Sequence, residues 1–208
     1  MKTGLIIFQK NAIPGRVKTR IAASVGDSHA LEIYNWLTDF THQIVREVKV
    51  DKYLFYSDFI PEQTEGDKSD YQAEIQSGSD LGDRMCNAFK LLFEKGYSSV
   101  VIIGTDCADL KTSDLNDAYM GLSQADLVIG PAQDGGYYLL GMSRFLPELF
   151  NEISWSSSTV LESTLDIANK SGLDYEFLEI RSDIDTYEDW KNYIFKNKVN
   201  RSKLPFPI

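Results

Sequence analysis

The fold of this chain is decided by the stretch SVVIIGTDCADL at residues 99–110. Its first six residues are almost entirely apolar, which is typical of a strand in a parallel sheet that is covered on both faces. Polar residues follow at once, beginning with Thr105 and Asp106. Because open parallel sheets bind ligands beyond the carboxyl ends of their strands, we expect the chemistry in the residues directly after each strand.

Outward from this strand, the apolar period alternates between that of strands and that of helices. Further strands are predicted at residues 3–8, 52–57, 73–76, 126–130, 136–141 and 175–180. Helices are predicted at residues 28–48, 81–92, 113–122, 157–170 and 186–197, with an exposed loop at 60–70. Asp27 or Ser28 would cap the first helix, and Gly96 would end the second. This order predicts an α/β fold whose mainly parallel sheet is flanked by helices.

Length, charge and cysteine content restrict the class of protein. The chain has 208 residues, which favours one domain, and its net charge of −10 disfavours nucleic acid and anionic membranes as partners. No stretch approaches the ~20 apolar residues of a membrane span, and the apolar run at residues 5–8 is too short for a signal peptide. Two cysteines, Cys86 and Cys107, do not suggest a disulfide framework. We therefore expect a cytoplasmic protein.

The loop after the first strand concentrates positive charge. It reads QKNAIPGRVKTR at residues 9–20, where Pro14 and Gly15 indicate a turn and Arg16, Lys18 and Arg20 supply cations. Exposed backbone amides and cations suit a polyphosphate. Neither the P-loop motif nor the dinucleotide fingerprint is present. A solvated basic turn with no ligand is the alternative.

Aspartates follow two of the predicted strands. Asp106 stands directly after the strand at residues 99–104, where a carboxylate can hold Mg²⁺ together with substrate phosphates. In RSDIDTYEDW, residues 181–190, Asp183 and Asp185 alternate, so an extended backbone puts both on one face. The alternative is helix capping, by Asp106 or more naturally Asp109 in the first segment, and by Asp185 or Thr186 in the second. If Asp106 and Asp185 act together, they can share one cation.

Three further segments contain candidate ligand residues. In GPAQDGGYY, residues 130–138, Gly135 and Gly136 allow close approach of a ligand, while Asp134 and Tyr137 can hydrogen-bond to it. The same letters also predict a hairpin, and both interpretations can hold. Arg84 could reach an anion or lie on a helix surface. Trp155 could stack on a ring, although a place in the core is the simpler account.

Other catalytic devices find little support. His29 and His42 both fall in the first amphipathic helix, away from the strand ends, which disfavours a histidine-based metal site or a Ser-His-Asp triad. Cys107 has no histidine placed to activate it, and we interpret it as a small buried residue.

Taken in order, these segments resemble a known bacterial family. The run LIIFQKNAIPGRVKTR, DLGDRM, VIIGTDCADL, LVIGPAQDGGYYLLG, WSSS and DIDTYEDW is similar to the family DUF2064, over roughly residues 4–190. That family belongs to the nucleotide-diphospho-sugar transferase superfamily, which has the GT-A fold. Its members are often labelled glycosyltransferases, one branch is linked by label to arsenosugar biosynthesis, and the family is similar to the phospholactate guanylyltransferases.

The resemblance implies roles for individual residues. The loop after the first strand would hold nucleotide phosphates through Gly15, Arg16, Lys18 and Arg20. Pro14 and Arg84 are further nucleotide-binding candidates from the sequence itself. Asp106 and Asp185 would bind Mg²⁺ or Mn²⁺. Two positions depart from the pattern. Gln9-Lys10-Asn11 replaces the Gly-Gly pair of the sugar-nucleotide pyrophosphorylases, which leaves base recognition undefined, and Ala108 stands where the family usually has Pro.

Three functions remain as hypotheses. The first is nucleotidyl transfer from a nucleoside triphosphate to a small phosphorylated acceptor, with Lys18 and Arg20 as catalytic cations. The second is glycosyl transfer from a nucleotide-sugar, with Asp134 as the base or as a group that positions the acceptor. The candidate substrate contacts are Gly135, Gly136, Tyr137 and Trp155. The third is a non-catalytic nucleotide sensor. We expect the domain to span residues 1–197, followed by a tail at 198–208, and homo-oligomer formation stays open.

Overall fold

The computed structural model of the protein describes residues 2–62, 70–199 and 204–205. Its strands are β1 (Thr3–Gln9), β2 (Asp51–Tyr56), β3 (Tyr71–Ile75), β4 (Ser99–Ile103), β5 (Leu127–Pro131), β6 (Tyr137–Met142) and β7 (Tyr175–Phe177). Its helices are α1 (Thr19–Arg46), α2 (Leu81–Glu94), α3 (Thr112–Gly121), α4 (Val160–Lys170) and α5 (Tyr187–Asn197). A short 3₁₀ turn covers Pro147–Phe150.

The apolar strand β4 lies in the middle of one seven-stranded sheet with the order β3-β2-β1-β4-β6-β5-β7. Neighbouring strands are parallel except at β6, which runs antiparallel to both β4 and β5. The predicted α/β fold with a mainly parallel sheet is therefore confirmed. Since six of the seven strands share one direction, their carboxyl ends lie at a common edge, and the loops that follow them meet there.

Helices cover both faces of the sheet and bury separate apolar layers. One layer lies between the sheet and α2 with α4, and it includes Phe89 and Leu140. The other lies between the sheet and α1 with α3, and it includes Val101 and Leu115. This two-sided cover explains why β4 is apolar at every central position rather than alternating.

A third apolar cluster joins α1 to α5 around the fully buried Trp190, which meets the ring of Trp36 edge-on at 5.0 Å. Leu204 packs against the same cluster, so part of the chain beyond α5 returns to the domain. The proposed boundary at residue 197 stays a prediction.

The first helix is longer than its apolar period indicates. Helical backbone begins at Thr19, and Gly26 interrupts it with φ 82° and ψ 163°. The second, longer piece starts where Asp27 and Ser28 were expected to begin the helix. The first piece buries only Ile21 on the domain, which is too little to produce a recognisable period.

Other boundaries shift by a few residues. Strand β7 ends at Phe177, three residues before the predicted end, and only a single bridge between Ala132 and Arg181 continues its pairing. Gly96 ends α2 as expected: its φ is 81°, and the N–H groups of Gly96 and Tyr97 donate to the carbonyls of Phe93 and Leu92. Residues 60–62 of the predicted loop lie outside helices and strands, and its residues 63–69 lie outside the described part of the chain.

Trp155 lies half-buried between α2 and the 3₁₀ turn, where its ring stacks on Phe150 at 6.2 Å. It also covers Gly82 in the first turn of α2, and a Cβ atom at that position would overlap the indole ring. The helix can approach the tryptophan only because residue 82 has no side chain.

We expect Gly82→Ala to destabilise the fold by about 1–2 kcal/mol, because the clash with the indole outweighs the better helix propensity of alanine. The measurement is urea unfolding followed by circular dichroism. Gly104→Ala is the matched control, since a Cβ there meets nothing within 4 Å. A smaller loss for Gly82→Ala in a Trp155→Leu background would confirm the contact, whereas equal losses in both backgrounds would contradict it.

Candidate active site

Three loops at the carboxyl edge of the sheet converge on the ammonium of Lys18. This residue ends the loop after β1, Asp106 follows β4, and Asp185 precedes α5. Lys18 Nζ lies 2.8 Å from Asp106 Oδ1 and 3.4 Å from Asp185 Oδ1. It also donates a hydrogen bond of 2.6 Å to the Ile184 carbonyl. The backbone supports this arrangement, because the Ile184 N–H donates to the Asp106 carbonyl at 2.9 Å.

The lysine is buried although its partners are open to solvent. Only 5% of the Lys18 side chain is exposed, against 42% for Asp106 and 43% for Asp185. Burial disfavours the ammonium, but the charges of Asp106 and then Asp185 outweigh it and raise the pKa of Lys18. The lysine therefore carries its charge at neutral pH. Its backbone is left-handed, with φ 47°.

Other residues cap α3 and α5, which decides against capping by Asp106 and Asp185. Thr186 caps α5: its hydroxyl accepts from the Asp189 N–H at 3.2 Å, and the Asp189 carboxylate accepts from the Thr186 N–H at 2.7 Å. At the start of α3 the Lys111 N–H donates to Asp114. Asp106 and Asp185 are thus not engaged in capping, and both face Lys18.

Asp183 is a site residue whose environment was not foreseen. Burial, followed by the charge of Asp106, raises the pKa of Asp183 to about 7, and Lys18 opposes this rise. Its Oδ1 atom is shielded from solvent and accepts no hydrogen bond from the described residues. The sequence Asp183-Ile184-Asp185 contains the one indication of this arrangement. Ile184 packs into the α1–α5 cluster, and it separates two aspartates that alternate with it along the chain.

The donor atoms suit a hard divalent cation. Among the described residues no three His, Cys, Asp or Glu side chains form a ready-made metal site. Mg²⁺ does not require one, because it commonly takes one or two carboxylates and completes its shell with substrate phosphates and water. Asp106 and Asp185 already share one cation in Lys18, and Asp183 adds an unpaired oxygen beside them. The residues present therefore fit Mg²⁺ or Mn²⁺.

The basic loop is open to solvent in front of this cluster. Pro14, Gly15 and Arg16 are exposed, and Gly15 has a φ of 74°. Arg20 is 77% exposed, with Nη1 4.0 Å from Asp185 Oδ2. Arg20, in the first turn of α1, thus places one largely exposed guanidinium at the edge of the Lys18 cluster, and an exposed cation of this kind suits a polyphosphate.

The segment between β5 and β6 forms the predicted hairpin. Asp134 is exposed and accepts from the Gly136 N–H at 3.0 Å, and its charge contributes to the raised pKa of Asp183. Gly135 has a φ of 90°, and a Cβ there would overlap the Ser158 carbonyl. The Tyr137 hydroxyl is buried, which raises the pKa of that phenol. Asp134 consequently belongs to the electrostatics of the site, whereas the Tyr137 hydroxyl points into the protein.

Arg84 and Trp155 lie apart from the Lys18 cluster. Arg84 occupies the first turn of α2, where its Nε donates to the Gly78 carbonyl at 3.3 Å. Trp155 packs over the same turn at Gly82. No hydrogen bond or ion pair within the described ranges connects Arg84, Trp155 or Tyr137 to Lys18.

Asn11 is a residue to which the sequence assigned no role of its own. It is buried, its Oδ1 accepts from the Asp58 N–H at 2.9 Å, and its Nδ2 donates to the Phe59 carbonyl at 2.8 Å. It therefore joins the loops after β1 and β2. Its neighbour Gln9 contacts His42 Nε2 at 2.8 Å, which gives that buried histidine a structural partner. The only indication of these roles in the sequence was that Gln9-Lys10-Asn11 replaces the Gly-Gly pair of the sugar-nucleotide pyrophosphorylases.

Comparison with known proteins places the chain in a family. The model of DUF2064, uncharacterized proteins conserved in bacteria, matches residues 40–157. A crystal structure from Desulfovibrio desulfuricans, provisionally described as a nucleotide-diphospho-sugar transferase, is 30% identical with a TM-score of 0.89 and covers 96% of this chain and 90% of its own. A search of curated protein sequences finds no match.

More distant structures share the fold. The CMP:2-keto-3-deoxy-manno-octonic acid synthetase complexed with CTP is 8% identical, with a TM-score of 0.56 and coverage of 96% of this chain and 100% of its own. Rv0371c from Mycobacterium tuberculosis in complex with manganese is 12% identical, with a TM-score of 0.51 and coverage of 91% and 96%. None of the described helices combines the length and the apolar character that a membrane span requires.

The family model matches more than half of the chain, and the 30% identical relative shares its fold. Both findings agree with the family that the order of the motifs indicates. This protein is a member of the DUF2064 family, with the α/β fold of the nucleotide-diphospho-sugar transferases.

Proposed function

We propose that this protein is a divalent-metal-dependent nucleotidyltransferase that joins a nucleoside triphosphate to a small phosphorylated acceptor. Its broad class, a transferase, is the one to which its relative and its structural neighbours belong. The observation that carries the proposal is the convergence of Lys18, Asp106 and Asp185 at the carboxyl edge, in front of an exposed basic loop. Such an edge is where α/β sheets bind nucleotides.

The proposed reaction is an in-line displacement. A phosphate oxygen of the acceptor forms a bond to the α-phosphorus of the nucleotide, the bond from that phosphorus to the bridging oxygen breaks, and pyrophosphate leaves. The backbone at Pro14 and Gly15 and the side chain of Arg16 would bind the triphosphate. Lys18 and Arg20 would stabilise the negative charge that develops on the phosphorus centre and the leaving group.

Asp106 and Asp185 would hold the metal, with Asp183 beside them. A divalent cation at this position supplies charge neutralisation and orientation of the phosphates. The manganese complex of the Mycobacterium tuberculosis neighbour and the oxygen-rich donor set both support this assignment. The CTP complex of the synthetase supports a triphosphate substrate. Free Cys86 and Cys107 agree with the reducing cytoplasm that we propose as the location.

Glycosyl transfer is the second candidate, because the 30% identical relative is described as a nucleotide-diphospho-sugar transferase. In that reaction the sugar moves to an acceptor hydroxyl and a nucleoside diphosphate leaves. Asp134 would act as the base, and the Gly135–Gly136 backbone would lie against the sugar. The exposed carboxylate of Asp134 is compatible with this role.

Product analysis distinguishes the two reactions. We expect release of pyrophosphate when the protein is incubated with Mg²⁺, a panel of nucleoside triphosphates and phosphorylated acceptors, because that is the leaving group of nucleotidyl transfer. Enzymatic pyrophosphate detection and phosphorus NMR are the measurements. Release of a nucleoside diphosphate from nucleotide-sugars instead would establish the second candidate. Tight nucleotide binding without any turnover would indicate a sensor.

Asp106→Asn is expected to lower turnover by about 100-fold or more, because it removes a metal-binding charge from the centre of the site. The measurement is kcat under saturating Mg²⁺. Asp109→Asn is the matched control, because Asp109 belongs to the same loop but its Oδ2 lies 4.0 Å from Lys196 Nζ instead of contacting Lys18. Equal activity in the two variants would show that the metal site is wrongly assigned.

Nucleotide binding should also raise the melting temperature in a metal-dependent way. A ligand at 100 times its dissociation constant stabilises a protein by ~2.7 kcal/mol, which is several degrees for a chain of this size. We expect this shift with a nucleoside triphosphate plus Mg²⁺, and a smaller one with Asp106→Asn. If no nucleotide at millimolar concentration changes the melting temperature, the proposed function loses its main support.

A further inference from the structure

The contacts of Lys18 leave its ammonium no free donor. A lysine has three N–H groups and no acceptor. Here three oxygens surround Nζ: the Ile184 carbonyl at 2.6 Å, Asp106 Oδ1 at 2.8 Å and Asp185 Oδ1 at 3.4 Å. With 5% of its side chain exposed, Lys18 also has little contact with solvent. In this arrangement it cannot donate to a phosphate.

The proposed function therefore makes two demands that this arrangement does not meet. A divalent metal held by Asp106 and Asp185 would lie within a few ångströms of the ammonium, which contacts Oδ1 of each carboxylate, and two cations at such a distance repel each other strongly. Lys18, for its part, must turn toward the phosphates to stabilise their charge. Both requirements are met if Lys18 leaves the carboxylates when the metal arrives.

We propose, on the basis of this function, that Lys18 is an internal counter-cation that alternates with the divalent metal at Asp106 and Asp185. Before metal binds, the ammonium neutralises the two aspartates and the nearby Asp183. When metal binds, Lys18 is displaced from both carboxylates and becomes free to donate to the nucleotide phosphates. The lysine is thus engaged with its substrate only when the metal is in place.

The surroundings of the cluster allow this exchange. Asp106 and Asp185 are each about two-fifths exposed, so a hydrated cation can approach them from solvent. Lys18 reaches them on a long, flexible side chain, and its rotation need not move the aspartates. The backbone that carries the two carboxylates is held by the hydrogen bond from the Ile184 N–H to the Asp106 carbonyl and by the capped start of α5.

The exchange also explains how Asp183, whose buried Oδ1 has no hydrogen-bond partner among the described residues, can lie beside two other aspartates. Three carboxylates in one corner repel each other, and burial adds to the cost of ionising Asp183. A cation between Asp106 and Asp185 offsets this repulsion in both states, first as the ammonium and then as the metal. A positive charge would accordingly lie beside Asp106 and Asp185 both before and after the metal binds.

Mn²⁺ titration without nucleotide, followed by electron paramagnetic resonance of the free ion, tests the proposal. Since Lys18→Met removes the competing ammonium, we expect its Mn²⁺ affinity to exceed that of the native protein by about tenfold. Arg20→Met is the charge-matched control, because Arg20 is 77% exposed and 4.0 Å from Asp185, and its removal should change the affinity by less than about threefold. Circular dichroism establishes that each variant is folded.

The outcomes separate this inference from the proposed function. If Asp106→Asn abolishes Mn²⁺ binding but Lys18→Met binds no more tightly than the native protein or Arg20→Met, the exchange is refuted while the metal site stands. If Mn²⁺ binding is absent, or is indifferent to both Asp106→Asn and Asp185→Asn, the metal site and the exchange fail together. Tighter binding only in Lys18→Met supports the exchange.

A second measurement uses the native sequence and avoids any folding defect. Brief acetylation with acetic anhydride, followed by mass spectrometry, reports how accessible each lysine is. We expect Mn²⁺ to raise modification at Lys18 severalfold, while the exposed Lys10 stays unchanged. Unchanged or reduced modification of Lys18 at saturating Mn²⁺ would overturn the proposal.

Discussion

The ion-pair cluster of Lys18 is the interaction on which the candidate site depends, because it joins three segments that are distant in sequence. Lys18 is 166 residues from Ile184 and 167 from Asp185, yet it touches both. The carboxylates that Lys18 contacts are solvated, so each ion pair contributes only modestly to stability. Contact with the buried ammonium nevertheless fixes the positions of the three loops relative to each other. Position, more than stability, is what this cluster contributes.

Sheet topology brings these segments together. Strands β1 and β4 are parallel neighbours, which sets the basic loop beside Asp106. The chain after β7 starts at the far edge of the sheet and must cross the ends of β5 and β6 to reach β4. Backbone hydrogen bonds mark its course: the Arg181 N–H donates to Pro131, the Gln133 N–H donates to Arg181, and the Ile184 N–H donates to Asp106.

One buried ion pair outside the Lys18 cluster anchors this crossing segment. Arg181 forms two hydrogen bonds to Asp114, at 2.7 and 3.1 Å, with both side chains almost fully covered. Asp114 simultaneously accepts from the Lys111 N–H at the start of α3. Removing one partner would leave a buried charge unpaired, which is far more costly than losing an exposed pair.

The sequence alone determined the order of strands and helices, the mainly parallel sheet, and the two aspartates and basic loop at its carboxyl edge. These follow from apolar periodicity and from the rule that strand ends meet at one edge, both of which are local or topological. It could not choose between Thr186 and Asp185 as the cap of α5, or show that Asp183 is buried and Lys18 enclosed. Only the tertiary structure decided these points, because they depend on side-chain geometry at the start of α5 and on contacts such as that between Lys18 and Asp185, 167 residues apart, which no local pattern carries.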